Sequence, residues 1–190
     1  QINYEALDVD ADKEKNGTPY AELLEWVETI VFAVFVVVLV FTFIFRLANV
    51  DGESMKPTLE NGDRLIINNI NYTPANGDIV VVDSKGLGKP IVKRIIASGG
   101  ETVDIDFESG EVSVNGQVLS EDYILDLTKL DEGGHSYPVQ VPADCYFVMG
   151  DNRMDSRDSR SADVGFVTAD EIAGEAVFKL WPLDRIGAVE

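Results

Sequence analysis

The chain has 190 residues, enough for one globular domain with an appended segment. Its formal net charge is −19 and its pI is near 4.2, which argues against charge-driven binding to nucleic acid or anionic lipid. With a single cysteine, Cys145, and a single histidine, His135, an intrachain disulfide is impossible and zinc-hydrolase and Cys–His mechanisms lack their parts. We expect no metal and no cofactor, so hydrolytic chemistry would have to use Ser, Asp, Glu or Lys.

Residues 1–25 form an acidic tail. Seven carboxylates face two lysines, for a net charge of −5, and Asn16-Gly17-Thr18-Pro19 interrupts regular structure. We expect most of this tail to be disordered. Thr18 is placed to cap a helix that begins near Pro19.

An apolar run from Ile30 to Phe45 contains one polar residue, Thr42. Extended to residues 26–46, it has about 21 residues, the length of a membrane-spanning helix. We therefore predict a transmembrane signal anchor over residues 26–46. A cleavable signal peptide is disfavoured because the preceding flank is acidic, and a buried helix of a soluble domain is the remaining alternative. Lys and Arg are too evenly divided between the flanks to set the orientation.

Residues 47–190 are predicted to form a coiled, mostly antiparallel β domain, which makes the chain mainly β. Asn115-Gly116 is a two-residue hairpin signal, and residues 121–140 are predicted to be an irregular excursion. Short β-branched or alternating runs between Gly, Asn and Pro mark the strands. They are Arg64–Ile67, Asp78–Val82, Ile91–Ile96, Thr102–Asp106, Val112–Val114, Gln117–Leu119, Tyr146–Met149 and Ala176–Leu180.

A candidate nucleophile follows the predicted span. Ser54 lies eight residues past Arg46, so it would lie close to the membrane surface. His135 stands in a Gly-Gly turn, which makes a lysine the better candidate for the base. Lys93 shares a strand face with Ile91 and Ile95, where burial can lower the pKa of its amine and keep it neutral. A surface lysine on an amphipathic strand is equally compatible with this pattern.

The segment from Gly150 to Arg160 alternates acids, hydroxyls and arginines after an apolar strand. This pattern favours a fixed network in which Asp–Arg pairs brace a loop. A solvated charge run is the alternative.

Four segments in this order resemble the conserved boxes of bacterial type I signal peptidases, in their compact Gram-positive form. The match runs from the predicted span to near the C-terminus. The segments are Ser54-Met55-x-Pro57-Thr58-Leu59, Gly77-Asp78-Ile79-Val80-Val81, Val92-Lys93-Arg94-Ile95-Ile96 and Gly150-Asp151-Asn152-Arg153-x-x-Ser156-x-Asp158-Ser159-Arg160.

The resemblance implies a membrane-bound serine endopeptidase with a Ser/Lys dyad that removes signal peptides from exported preproteins after small-x-small motifs. It also implies that the N-terminus lies in the cytoplasm and the catalytic domain outside the plasma membrane. The implied partners are the lipid bilayer and signal peptides that emerge near the translocase. A specialised relative that processes a dedicated pilin or conjugation protein would carry the same motifs. A catalytically silent paralogue is a third alternative, although such proteins typically lose the serine or the lysine.

The resemblance also implies roles for individual residues. Ser54 would attack the scissile carbonyl, Lys93 would take its proton, and Ser156 would hydrogen-bond to the Lys93 amine. The backbone N–H of Ser54 would form the oxyanion hole, to which some members add a hydroxyl two residues earlier, where this chain has Gly52. The implied bracing pairs are Asp151 with Arg94 and Asp158 with Arg160.

Substrate in this family lies as an added strand against two segments, here Leu47–Gly52 and Pro90–Val92. Small apolar pockets would then select small residues at the first and third positions before the cut. For each of these pocket residues, a place in the ordinary hydrophobic core is an equally good alternative. The predicted pocket residues are Val50, Met55, Leu59, Ile91 and Val92.

Overall fold

The computed structural model describes residues 19–44 and 46–189. The chain divides into two units between Phe43 and Ile44. The first contains all but the last residue of one helix, α1 (Pro19–Ile44), and the described side chains of this helix, from residue 20 to residue 39, are all exposed. The helix begins where the sequence predicted. The predicted disorder of the tail and the Thr18 cap lie outside the described residues.

The transmembrane prediction receives no support from α1. No helix among the described residues combines the length and the apolarity needed to cross a membrane. Any membrane-length stretch of the described α1 side chains includes Glu22, Glu25 and Glu28. The side chains of residues 40–45, which belong to the predicted span, lie outside the described ones. Arg46, the last residue of the predicted span, is the first residue of a strand.

The second unit is mainly antiparallel β, as the sequence predicted. The predicted runs all correspond to strands, because β-branched residues alternate or cluster where one or both sheet faces are buried. The strands are β1 (Arg46–Asn49), β2 (Arg64–Asn68), β3 (Ile79–Ser84), β4 (Lys89–Ser98), β5 (Thr102–Asp106), β6 (Glu111–Val114), β7 (Gln117–Val118), β8 (Val139–Gln140), β9 (Cys145–Met149), β10 (Val167–Thr168), β11 (Ile172–Trp181) and β12 (Gly187–Ala188).

The larger sheet has the strand order β1-β2-β11-β3-β4-β9-β10, with β12 added to β11. Lys93 of β4 lies opposite Val80 of β3. On its other side β4 pairs with β9 only from Arg94 onward. Among the described strands, the first half of β4 and the outer edge of β1 therefore both have unpaired edges.

The smaller sheet has the order β7-β6-β5-β8. Asn115 and Gly116 form its hairpin turn with φ of 53° and 77°, so the predicted hairpin is confirmed. The predicted excursion, residues 121–140, is irregular except for β8 at its end. Two 3₁₀ turns complete the described elements, at Ala169–Glu171 and Leu183–Arg185.

Three buried clusters hold the β unit together. The first joins the two sheets, with Val103 and Val112 from the smaller sheet packed near Phe147 of β9. The second gathers Met55 and Leu59, among others, beneath the turn that follows β1. The third lies along β3, β4 and β9. Each large apolar side chain buried in this way contributes about 1.5–3 kcal/mol relative to an exposed one, so the segment around Ser54 is anchored by its own core residues.

Candidate active site

Ser54 and Lys93, which are 39 residues apart in the chain, meet in the β unit. Ser54 lies in the turn between β1 and β2, and Lys93 projects from β4. The Nζ of Lys93 donates to Ser54 Oγ at 2.6 Å and to the carbonyl of Val92 at 2.9 Å. Only 2% of Lys93 is exposed, so the alternative of a surface lysine is wrong.

Burial lowers the pKa of the Lys93 amine from its usual 10.5 to about 8. The carboxylates of Asp158 and Asp151 oppose this shift by stabilising the charged amine, and Arg160 adds to it. Desolvation therefore outweighs the neighbouring charges. A large fraction of the amine is neutral at mildly alkaline pH, as a general base for a serine hydroxyl requires.

Both bracing pairs implied by the sequence are present as buried ion pairs. Arg94 donates to Asp151 through Nε at 2.9 Å and through Nη2 at 2.8 Å. Arg160 also makes a bidentate contact, because its Nε and Nη2 each donate to the carboxylate of Asp158 at 2.9 Å. Burial works to raise the pKa of Asp158, but the bonds and charge of Arg160, together with the bonds from Gly150 and Ser156, outweigh burial and the pKa is lowered. Asp158 is thus held as a carboxylate near Ser54 and Lys93.

Ser156 does not make the predicted contact. Its hydroxyl donates to Asp158 Oδ2 at 2.7 Å, and among the described residues no hydrogen bond joins it to Lys93. Arg160 fixes the Asp158 carboxylate, and the carboxylate draws the Ser156 hydroxyl to itself. The lack of a side chain at Gly150 lets the backbone there lie close to Ser156 and Ser54, because a Cβ would overlap both Ser156 Oγ and the carbonyl of Ser54.

The structure adds Asn152 to the residues predicted at the site. Its backbone N–H donates to the carbonyl of Ser54 at 3.0 Å, and its amide donates to the carbonyl of Glu53 at 3.2 Å. Asn152 therefore fixes the backbone on both sides of the Ser54 N–H. Its place in the Gly-Asp-Asn-Arg motif was the available signal, but its partners come from a distant part of the chain. Thr58, which donates to Asp151, was missed for the same reason.

The backbone N–H of Ser54 has no acceptor among the described residues. It is free to donate to an oxyanion at this position. Gly52, two residues earlier, has φ of +104° and donates its own N–H to Asn61 Oδ1 at 3.1 Å. Residues with a Cβ rarely adopt that φ, so the backbone conformation explains why no side-chain hydroxyl stands there.

A cleft of about 360 Å³ opens at Ser54, between the unpaired edges of β1 and β4. Four of the five predicted pocket residues line it: Val50, Met55, Ile91 and Val92. The fifth prediction is wrong. Leu59 is fully buried in the cluster beneath the turn and does not reach the cleft. The described residues include no group of His, Cys, Asp and Glu arranged to hold a metal ion.

The family described as "Signal peptidase, peptidase S26" matches residues 23–181. "Signal peptidase I P" from Bacillus subtilis subsp. natto is 39% identical over 184 residues, covering 92% of this chain and 97% of the relative. "Signal peptidase I" from Leptolyngbya laminosa is 38% identical over 188 residues, covering 93% and 87%.

A crystal structure of a signal peptidase I from Enterococcus faecalis superposes with a TM-score of 0.45 at 31% identity, covering 55% of this chain and 97% of its own. The family match and the identities of the relatives give the class of protein. This chain belongs to the signal peptidase I family and is a serine peptidase.

Proposed function

We propose that this peptidase removes N-terminal signal peptides from exported preproteins, with Ser54 as nucleophile and Lys93 as its general base. The observation that carries the proposal is the 2.6 Å hydrogen bond between Lys93 Nζ and Ser54 Oγ inside a buried site. The pKa of about 8 for the Lys93 amine supports its role as the base. The names of the relatives support the substrate class.

The reaction would follow from this geometry. Lys93 takes the proton of Ser54 Oγ as that oxygen attacks the scissile carbonyl, and the backbone N–H of Ser54 donates to the developing oxyanion. Lys93 then gives the proton to the leaving amine, so the C–N bond breaks and an acyl ester remains on Ser54. The neutral lysine next takes a proton from water as the water oxygen attacks the ester. The bond between the acyl carbon and Ser54 Oγ then breaks, Lys93 returns the proton to Ser54 Oγ, and the signal peptide is released with a free carboxylate. The Arg94–Asp151 and Arg160–Asp158 pairs hold this frame rigid.

The cleft supports a substrate bound as an added strand. The unpaired edges of β1 and β4 offer backbone donors and acceptors on both sides, so main-chain hydrogen bonds would bind an extended peptide with little regard to its sequence. The apolar walls formed by Val50, Met55, Ile91 and Val92 leave room for small side chains next to Ser54. This is the basis for cleavage after small-x-small motifs.

We further propose that the enzyme works at the plasma membrane, with its N-terminus in the cytoplasm and its β unit outside, near the translocase. The apolar run Ile30–Phe45 supports a membrane anchor. Large hydrophobic side chains are also exposed at the end of β11 and after it, at Trp181, Leu183 and Ile186. Exposed apolar side chains grouped in this way favour contact with a lipid surface.

The dyad is tested by cleavage of a peptide with a small-x-small site by the purified full chain, compared with Ser54→Ala and Lys93→Met. Each variant should lose at least about 10³-fold in kcat, because neither half of a nucleophile–base pair works alone. Matched controls are Ser120→Ala and Lys85→Met, at exposed positions outside the site, and both should keep full activity. Substantial cleavage by either Ser54→Ala or Lys93→Met would contradict the assignment of Ser54 and Lys93 as nucleophile and base, but it would not affect the family membership.

A further inference from the structure

A buried arginine, Arg153, links the irregular segment of residues 121–128 to the loop that begins at Gly150. Arg153 is fully buried. Its guanidinium donates to Glu121 Oε1 at 2.6 Å and to Thr128 Oγ1 at 2.7 Å, and its Nε donates to the carbonyl of Gly150 at 2.9 Å. Both ends of the 121–128 segment are therefore tied to the loop that contains Asp151 and Asn152.

Tyr123, between these two anchors, contacts Arg94. Its ring centroid lies 4.1 Å from Arg94 Cζ, within the range of a cation–π contact. Two residues further on, the N–H of Leu125 donates to the carbonyl of Asp151 at 3.0 Å. Asp151 is thus held by its side chain through Arg94 and by its backbone through the 121–128 segment, and the Tyr123 ring lies against the cation of that pair.

The Arg94–Asp151 pair is next in sequence to Lys93 on one side and to Asn152, which contacts Ser54, on the other. Arg94 follows Lys93 on β4. Asp151 precedes Asn152, whose N–H holds the carbonyl of Ser54 at 3.0 Å. A shift of Asp151 would therefore be passed to the backbone of the nucleophile, and a shift of Arg94 to the strand that carries the base.

We propose that Tyr123 is a positioning residue for the Ser54–Lys93 pair, which it orients by packing its ring on Arg94. The proposal rests on the function proposed above and extends it to a part of the chain without a catalytic atom. The physical reason is desolvation, since Arg94 is only 5% exposed and a buried ion pair is strong only while its geometry is kept and water is excluded. The aromatic face satisfies the guanidinium without competing for Asp151.

The test compares Tyr123→Met with Tyr123→Phe in the detergent-purified full chain, with a small-x-small peptide as substrate. Tyr123→Met removes the aromatic face but keeps an apolar side chain. Its kcat should fall about tenfold with KM unchanged, because the cleft itself is untouched. Tyr123→Phe keeps the ring and loses only the hydroxyl, which donates to Glu121 Oε1 at 3.3 Å. It should stay within about twofold of the wild type.

Other outcomes would overturn the proposal. Wild-type kcat in Tyr123→Met would mean that the ring positions nothing, and an equal loss in both variants would assign the effect to the hydroxyl. Circular dichroism at the assay temperature checks the folded fraction. If Tyr123→Met unfolds while Tyr123→Phe does not, the ring serves stability rather than positioning. Cleavage retained by Ser54→Ala would refute the dyad instead, so the two failures are distinguishable.

Discussion

At the scale of the residue, the proposed mechanism depends on a lysine that the fold keeps out of water. Lys93 is surrounded by Asp151, Asp158 and Arg160, and the two acids alone would raise the pKa of its amine. Burial overrides them because an isolated ammonium loses far more hydration than those partners restore. A surface lysine with the same neighbours would stay charged and could not act as a base at neutral pH.

The rate should therefore depend on pH through the Lys93 amine. Because the active form is neutral and the pKa of the amine is about 8, kcat/KM should rise between pH 6 and pH 9. About 1% of the amine is neutral two units below its pKa, so the rate at pH 6 should be close to one hundredth of the plateau.

The measurement is a pH profile with a peptide that does not titrate in this range. A flat profile would contradict a lysine base. His135 is the other group to consider, and burial lowers its pKa below the usual 6.5. His135→Asn should therefore leave the rise of kcat/KM around pH 8 unchanged.

Gly52 shows how backbone conformation limits the oxyanion hole. A Cβ there would meet no atom within 4 Å, but φ is +104°. We expect Gly52→Ala to destabilise the β unit by about 1–2 kcal/mol through strain alone. Thermal melts would measure the loss. Gly187→Ala is the control, since Gly187 has equal space and no positive φ, and a loss of the same size there would contradict the strain argument.

At the scale of the element, the turn that carries Ser54 is held by the C-terminal part of the chain. Asp63, fully buried just before β2, accepts from Arg185 at 2.9 Å and lies 3.3 Å from Lys179 Nζ on β11. Lys179 also donates to the carbonyl of Thr58 at 3.0 Å. These contacts link β11 and the 3₁₀ turn after it to the segment that carries Ser54.

Asp63→Asn keeps the shape of the side chain and removes its charge. Because bonds to charged groups contribute more than neutral ones, we expect a loss of about 2 kcal/mol in the free energy of unfolding, measured by urea denaturation. Glu60→Gln is the matched control: Glu60 also pairs with Arg185, at 2.9 Å, but is half exposed. Its loss should stay below about 0.5 kcal/mol, and equal losses in the two variants would contradict the role of burial.

At the scale of the whole molecule, the proposed membrane attachment can be tested through the kind of force that would hold it. The chain carries a net charge of −19, which argues against electrostatic attraction to anionic lipid, so the attachment that we propose is apolar. Cells expressing the full chain should therefore retain it in the membrane fraction after alkaline and high-salt washes, since neither weakens an apolar anchor.

A variant that lacks residues 1–45 is the control, and less of it should remain with the membranes. External protease applied to intact protoplasts should digest the β unit if that unit lies outside. Release of the full chain by salt alone, or a protected β unit, would contradict the membrane proposal.

Local order in this protein followed from the sequence. Alternation and β-branched runs determined most of the strands, Asn115-Gly116 determined its hairpin, and the motifs around Ser54, Lys93 and Asp151 identified the family. These features are local because strand faces, turns and short motifs depend on neighbours along the chain. The helix from Pro19 was predicted for the same reason. The apolar pattern did not show that a strand, β1, begins at Arg46.

Only the tertiary structure decided which side chains meet. The same strand pattern allowed Lys93 to be exposed or buried, and in the folded chain it is buried beside the turn that carries Ser54. Packing also placed Leu59 in the core instead of the cleft, and it directed the Ser156 hydroxyl to Asp158 rather than to Lys93. Asn152, Asp63 and Tyr123 act on residues far away in the chain. Such contacts are set by how strands and loops assemble, which no local pattern encodes.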